Sequence, residues 1–183
     1  VAGGGVQKSD GAPATSADLS SPYRAQYDKK TGDIFIVEYY GNRIRKVLAS
    51  DGTITTVVGG CKVPGVLGDD GPAIDACLKN PNYFIMNDDG ELFIADFENN
   101  RVRKVGLDGK ISTIAGGGDQ DGDGPATSVN LKKPSSLAFG PSGELLVAEE
   151  GRKVWMVDGQ GFMKVIACGG LDTTNSDGIL ATR

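Results

Sequence analysis

Short apolar runs, broken by turns rich in glycine, aspartate and asparagine, recur along the whole chain. In the stretch 91–118 they are Leu92–Ala95, Val102–Val105 and Ile111–Ala115, separated by Asn99-Asn100 and Asp108-Gly109. The same grammar returns at 33–60 and at 144–170. No window holds a sustained 3.6-residue apolar period, which argues against a helical fold. Runs this short between Gly-bearing turns read as β-strands. Ala14–Leu19 and its equivalents are the one helical hint, a single turn.

Self-comparison shows that the pattern is a repeat. Val1-Ala-Gly-Gly-Gly5 recurs as Val57-Val-Gly-Gly-Cys61, Ile114-Ala-Gly-Gly-Gly118 and Ile166-Ala-Cys-Gly-Gly170. A loop follows each of the first three copies: Asp10-Gly-Ala-Pro-Ala-Thr15, Asp70-Gly-Pro-Ala-Ile74 and Asp123-Gly-Pro-Ala-Thr127, with Asp177-Gly-Ile-Leu-Ala-Thr182 opening a fourth. Each repeat predicts four strands. The first is at Arg24–Tyr27, Tyr83–Met86 and Ser136–Phe139, and the second at Ile34–Val37, Leu92–Ala95 and Leu145–Ala148. The third is at Arg43–Val47, Arg101–Val105 and Lys153–Val157, and the fourth at Thr53–Val58, Lys110–Ala115 and Phe162–Ala167. Four antiparallel strands in a repeat of roughly fifty residues describe a β-propeller blade. The expected class is all-β, with about three complete blades: repeats at 1–56, 57–113 and 114–165, and the start of a truncated fourth at 166–183.

A single blade cannot cover both of its faces, so stability belongs to the stack. Three arrangements answer this need: an excerpt of a longer protein, several chains completing one ring, or a head-to-tail open array. The chain opens on Val1-Ala2-Gly3 without Met and reads as mature or fragmentary.

The motifs Gly32-Asp-Ile-Phe-Ile-Val-Glu38 with Asn42-Arg-Ile-Arg-Lys-Val47, and Gly90-Glu-Leu-Phe-Ile-Ala-Asp96 with Asn99-Asn-Arg-Val-Arg-Lys-Val105, resemble the NHL family of β-propellers. The third copy, Gly143-Glu-Leu-Leu-Val-Ala-Glu149 then Arg152-Lys-Val-Trp-Met-Val157, departs from it where Trp155 and Met156 replace Arg and Lys. The resemblance implies a propeller, most often six-bladed. It implies no single activity, because members include binding scaffolds, extracellular adhesion and sensor domains, RNA-binding modules and a peptide-amidating lyase.

Charge and composition narrow the chemistry. The chain of 183 residues carries a formal charge of −5 and no histidine. Imidazole is thereby excluded from this segment as base, nucleophile partner or metal ligand. An acidic chain disfavours nucleic acid unless cations cluster. The set Arg43, Arg45, Lys46, Arg101, Arg103 and Lys104 could form such a stripe, but acids accompany it, and a solvated strand face is the preferred reading. No run approaches bilayer-spanning length, so no membrane span is expected.

Glu38 with Arg43, Asp96 with Arg101 and Glu149 with Lys153 recur at matching positions. Strict repetition favours structural ion pairs over three catalytic pairs. Asp119-Gln-Asp-Gly-Asp-Gly124 resembles a Ca²⁺ loop, with hard oxygens at alternate positions, although Asn130 stands where a closing Glu belongs. Solvated turn acids are the plainer reading. Asp119, Asp121 and Asp123 are the expected ligands if any loop binds calcium, and no other cofactor is expected. Cys61 and Cys77 flank one inter-blade loop and predict a disulfide, the alternative being two buried thiols. The bond implies an oxidising compartment, hence an extracellular or secreted protein, and leaves Cys168 without an assigned partner.

The expected role is a non-catalytic extracellular binding or structural scaffold, with self-assembly through its repeats among its options. Its partners would be other copies of the chain, further repeats of the same protein, or a protein or glycan ligand. A lyase- or hydrolase-type propeller with its active-site ligands outside this segment, and an RNA-binding propeller, are the alternatives.

Overall fold

A computed structural model describes residues 2–150 and 153–168. The fourth repeat beyond residue 168, Arg152 and the Cys168 side chain lie outside the described part. Within it the backbone forms three antiparallel sheets. The first contains β1 (Ala12–Pro13), β2 (Pro22–Tyr27), β3 (Ile34–Glu38), β4 (Arg43–Val47) and β5 (Thr53–Val58), in spatial order β1-β5-β4-β3-β2. The second runs β6 (Tyr83–Met86), β7 (Leu92–Asp96), β8 (Arg101–Val105) and β9 (Ile111–Gly116). The third repeats the first: β10 (Gly124–Pro125), β11 (Pro134–Phe139), β12 (Leu145–Glu149), β13 (Lys153–Val157) and β14 (Phe162–Cys168), in order β10-β14-β13-β12-β11.

The strands predicted from sequence are all present. Two elements escaped that reading. The short strands β1 and β10, and an isolated bridge between Pro72 and Lys110 in the middle repeat, add an outermost edge to each sheet. The helical hint is a 3-10 turn at Ala14–Ser16, Ala73–Asp75 and Ala126–Ser128. The expected repeat boundaries at 57, 114 and 166 fall inside β5, β9 and β14, so each sheet straddles two sequence repeats.

Each sheet is a blade, and neighbouring blades bury their faces against each other. Phe84, Leu92, Ile94 and Val105 of the second blade pack on Val37, Ile44 and Val58 of the first. The opposite face of the second blade, with Phe93, Ala95 and Val102, packs on Leu145, Val147 and Trp155 of the third. β7 is consequently buried along its whole length, as its continuous apolar run requires.

The Gly-Gly signature has a steric cause. Gly59 and Gly116 have positive φ, and a Cβ on them would meet the carbonyl oxygens of Asn42 and Asn100 at 2.4 and 2.3 Å. On the following Gly60 and on Gly118, a Cβ would meet the Ile74 and Ser128 carbonyls at 2.3 and 2.0 Å. The chain thus leaves the first and second blades through a passage that has no room for a side chain at Gly59 and Gly116. It then runs as a strap along the outer edge to the next blade.

Candidate functional site

The recurring polar pair is not the one the sequence suggested. Glu38 and Arg43 do meet, at 2.8 Å, directly across the β3–β4 register. In the second blade Arg101 turns instead to donate to the Asn99 carbonyl at 2.8 Å. The repeated partner stands two residues later. Arg45 Nη1 lies 3.7 Å from Glu38 Oε1, and Arg103 Nη1 lies 3.5 Å from Asp96 Oδ2, with all four side chains fully buried. Trp155 takes this place in the third blade and donates from Nε1 to Glu149 Oε2 at 2.6 Å. Trp155 therefore answers the acid of the second strand with a hydrogen bond, where Arg45 and Arg103 stand at ion-pair distance from theirs.

A β-bulge aims this donor. The pairing shifts by one residue between Ile44 and Arg45, between Val102 and Arg103, and between Val154 and Trp155. The bulge re-aims the outer strand so that Thr56 and Thr113 stand opposite the two arginines. The strap then closes the network from outside. Asp10 Oδ1 lies 3.0 Å from Arg45 and accepts from Thr56 Oγ1, while Asp69 Oδ1 accepts from Arg103 at 2.9 Å and from Thr113. Acid, arginine, strap acid and threonine make one line from strand to strap.

These networks dispose of the basic stripe as a solvated face. Arg45 and Arg103 are fully buried. Lys46 pairs with Asp33 at 3.3 Å and Lys104 with Glu91 at 2.8 Å. Burial pulls the Arg45 guanidinium below its ordinary value, helped by the like charge of Arg43 and opposed by Asp10 and Glu38. The Ala49 N–H first, and Lys46 after it, hold Asp33 below the usual carboxylate range; Lys104 and then Asn87 do so for Glu91. Asp96 goes the other way. Its desolvation outweighs the Lys79 N–H, the Asn99 amide and Arg103, and pushes its carboxyl up to about 6.

The acid loop is placed by the same comparison. Asp123 lies one position after the strap place of Asp10 and Asp69, which Gly122 holds in the third blade. With Trp155 in place of arginine, it accepts from the Val165 N–H at 2.9 Å. Asp121 accepts from Asn130 Nδ2, and the Gln120 amide folds into the turn to donate to the Asp123 carbonyl at 2.7 Å. Among the described residues no three acid or cysteine side chains converge as a metal shell, so Asp119, Asp121 and Asp123 are not brought together as one.

Cys61 and Cys77 are joined by a disulfide across 16 positions. It ties the two ends of the strap that leads into the second blade, whose tip carries the exposed Val63 and Val66.

One rim holds a feature the sequence reading missed. Tyr23 stacks on Tyr39 with centroids 4.7 Å apart, and Tyr40 meets Tyr39 edge-on at 5.0 Å. Phe97 of the second blade continues the cluster at 6.3 Å, with Lys133 of the third above it. Tyr23 and Tyr40 remain 63% and 69% exposed. The signal in the sequence was Tyr39-Tyr40 standing where the next repeat has Phe97-Glu98. The rim itself is fixed by repeated inter-blade hydrogen bonds. Asn42 and Asn100, both in the left-handed region, accept through Oδ1 from the Asn80 and Lys133 N–H groups at 2.7 and 2.9 Å.

Comparison with known proteins agrees with the architecture. The chain is 35% identical to teneurin-3 of Danio rerio over an alignment covering 50% of this chain and 4% of that protein. It is 31% identical to NHL repeat-containing protein 2 of Homo sapiens, over 62% of this chain and 17% of that protein. The chain thus spans less than a fifth of the length of either curated relative. Among solved structures, a Bacteroides thetaiotaomicron protein of unknown function matches with a TM-score of 0.58 at 25% identity, over 68% of this chain and 32% of that one. Virginiamycin B lyase of Staphylococcus aureus matches with a TM-score of 0.54 at 19% identity, over 80% of this chain and 41% of that one. No family model matches the chain. The three sheets are blades of a β-propeller.

Proposed function

We propose that this chain is part of an NHL-type propeller that works outside the reducing cytosol as a non-catalytic binding scaffold. The observation that carries the reading is the aromatic rim. Tyrosines presented on a rigid, hydrogen-bonded edge supply large contact area at small entropic cost, which suits recognition of a protein or glycan ligand. The rest of the polar chemistry supports it, because the strongest acid–base groups are spent inside the blades in repeated structural networks. The Cys61–Cys77 bond supports an oxidising, extracellular setting. The motif Asn99-Asn-Arg-Val-Arg-Lys-Val105 and the human NHL relative support the family.

Assembly through repeats belongs to the same proposal. Ile34 and Val47 on the first blade hold the positions of Leu92 and Val105, which the preceding blade buries in the second. Here they line an open groove of about 410 Å³ with Leu19, Tyr23 and Ala25, a face suited to another blade, whereas Tyr40 lies outside it.

A glycan and peptide array tests the binding role. Signals from the native protein should fall with Tyr23→Ala and Tyr40→Ala while the thermal midpoint stays put. An array without any tyrosine-dependent signal refutes the assignment. Single-stranded RNA at low salt should give a flat titration. Stoichiometric zinc or calcium in the purified protein would instead favour an enzyme.

A further inference from the structure

The opposite rim, where strands one and two and strands three and four of each blade turn back, carries a second feature. Between the second and third blades it opens into a cleft of about 800 Å³ that lies wholly among described residues. This is within the size range of ligand-binding clefts. Its floor is apolar: Phe93 and Phe139 meet edge-to-face at 5.1 Å, beside Ile114, Leu145 and Val157. Phe139 stays 37% exposed at the mouth, at the position held by Tyr27 and Met86 in the other blades.

The lip is acidic. Asp88 and Asp89 line it, with Asp158 capping its own turn through the Gln160 and Phe162 N–H groups, and the one lining cation, Lys104, is already paired with Glu91 at 2.8 Å. The corresponding junction between the first and second blades differs. There the turn of the first blade carries Lys29-Lys30, and the Lys30 ammonium donates across the gap to the Asp88 carbonyl. The third blade offers Gly140-Pro141-Ser142-Gly143 instead, with no cation to answer Asp88 and Asp89. Among the described residues their carboxylates make no ion pair. Gly140, Gly143, Gly159 and Gly161 leave bare backbone along the wall, which admits another main chain at close range.

We propose that this cleft binds an extended peptide segment in which an apolar side chain is followed by lysine or arginine. The apolar group enters between Phe93 and Phe139, and the cation reaches the Asp88–Asp89 lip. The site is separate from the tyrosine rim, so either can fail without the other.

The test is fluorescence anisotropy on the native protein with a labelled, end-blocked Phe-Arg-Leu-Arg peptide and its Phe-Glu-Leu-Glu counterpart. The basic peptide should bind, weaken in salt, and lose about tenfold in affinity when both lip acids are neutralised by Asp88→Asn and Asp89→Asn. Phe139→Ser should reduce affinity by a similar factor; it also loses the Phe93 contact and lowers the thermal midpoint, so the circular dichroism spectrum is used to show that the blades stay folded. Tyr40→Ala should leave it unchanged. Absence of binding at millimolar peptide, equal binding of the acidic peptide, or affinity indifferent to the lip acids would each overturn the assignment. Phenethylamine binding as tightly as the peptide would also overturn it, by giving the cleft to small amines.

Discussion

Replacing Asp96 with Asn should make stability less dependent on pH between pH 4 and 7. Asp96 is fully buried, and the loss of hydration raises its carboxyl from 3.8 to about 6 against its hydrogen bonds and Arg103. In the unfolded chain the group returns to the ordinary range. The fold therefore holds this proton more tightly than the unfolded chain does. Its contribution is complete below the unfolded value and is lost as pH rises through the folded one. A gap of two units, at about 1.4 kcal/mol each, amounts to about 3 kcal/mol. Asp28, Asp33, Asp51 and Glu91 are shifted down, so their own contributions change mostly at lower pH and are shared by both proteins. Urea unfolding at pH 4, 5, 6 and 7, followed by circular dichroism, gives the difference between native protein and Asp96→Asn. The variant should gain about 2–3 kcal/mol relative to the native protein from pH 4 to pH 7. A constant difference, or a native protein that gains on the variant as pH rises, would show that Arg103 outweighs desolvation and would refute the reasoning.

Three further perturbations probe the blade architecture. Trp155→Phe removes the donor to Glu149 and should cost about 2–4 kcal/mol in the same unfolding assay; a cost within error of zero would deny the indole its place in the network. Asn100→Ala forces a left-handed backbone on alanine and loses the bond to the Lys133 N–H, for about 2–3 kcal/mol in all. Asn100→Gly keeps the backbone freedom and should cost about 1 kcal/mol, so equal thermal shifts for the two variants would contradict this division. Replacing Cys61 and Cys77 together by serine should lower stability by about 3 kcal/mol on the chain-entropy account, and non-reducing peptide mapping of the native protein should recover the linked pair.

Much of the blade was legible before any coordinates. The runs Leu92–Ala95 and Arg101–Val105 and the turn at Asp108-Gly109 mark strands and hairpins through local rules: alternation, β-branched residues and glycine at tight turns. Cys61 and Cys77 were visible because two cysteines stood at the ends of one strap where other repeats have none. Register alone pairs Glu38 with Arg43, and the first blade forms that pair. The recurring network with Arg45, Arg103 and Trp155 was out of reach, because it depends on a bulge in the outer strand and on a strap aspartate more than thirty positions away in sequence.

The sequence by itself therefore determined the all-β class, the four-strand repeat and the order of strand, turn and strap, since each follows from neighbours along the chain. Only the tertiary structure decided which cations are buried, why glycine must stand where a strap leaves its blade, and which side chains remain at the rims. Asp123 shows the difference most clearly. Beside Asp119 and Asp121 it looks like a calcium ligand, whereas folded against β14 its carboxylate accepts from the Val165 N–H, one position after Gly122, which stands where Asp10 and Asp69 reach the arginines of the other blades. Electrostatics and packing act through space, and the residues that meet there come from three separate strands and the strap that crosses them.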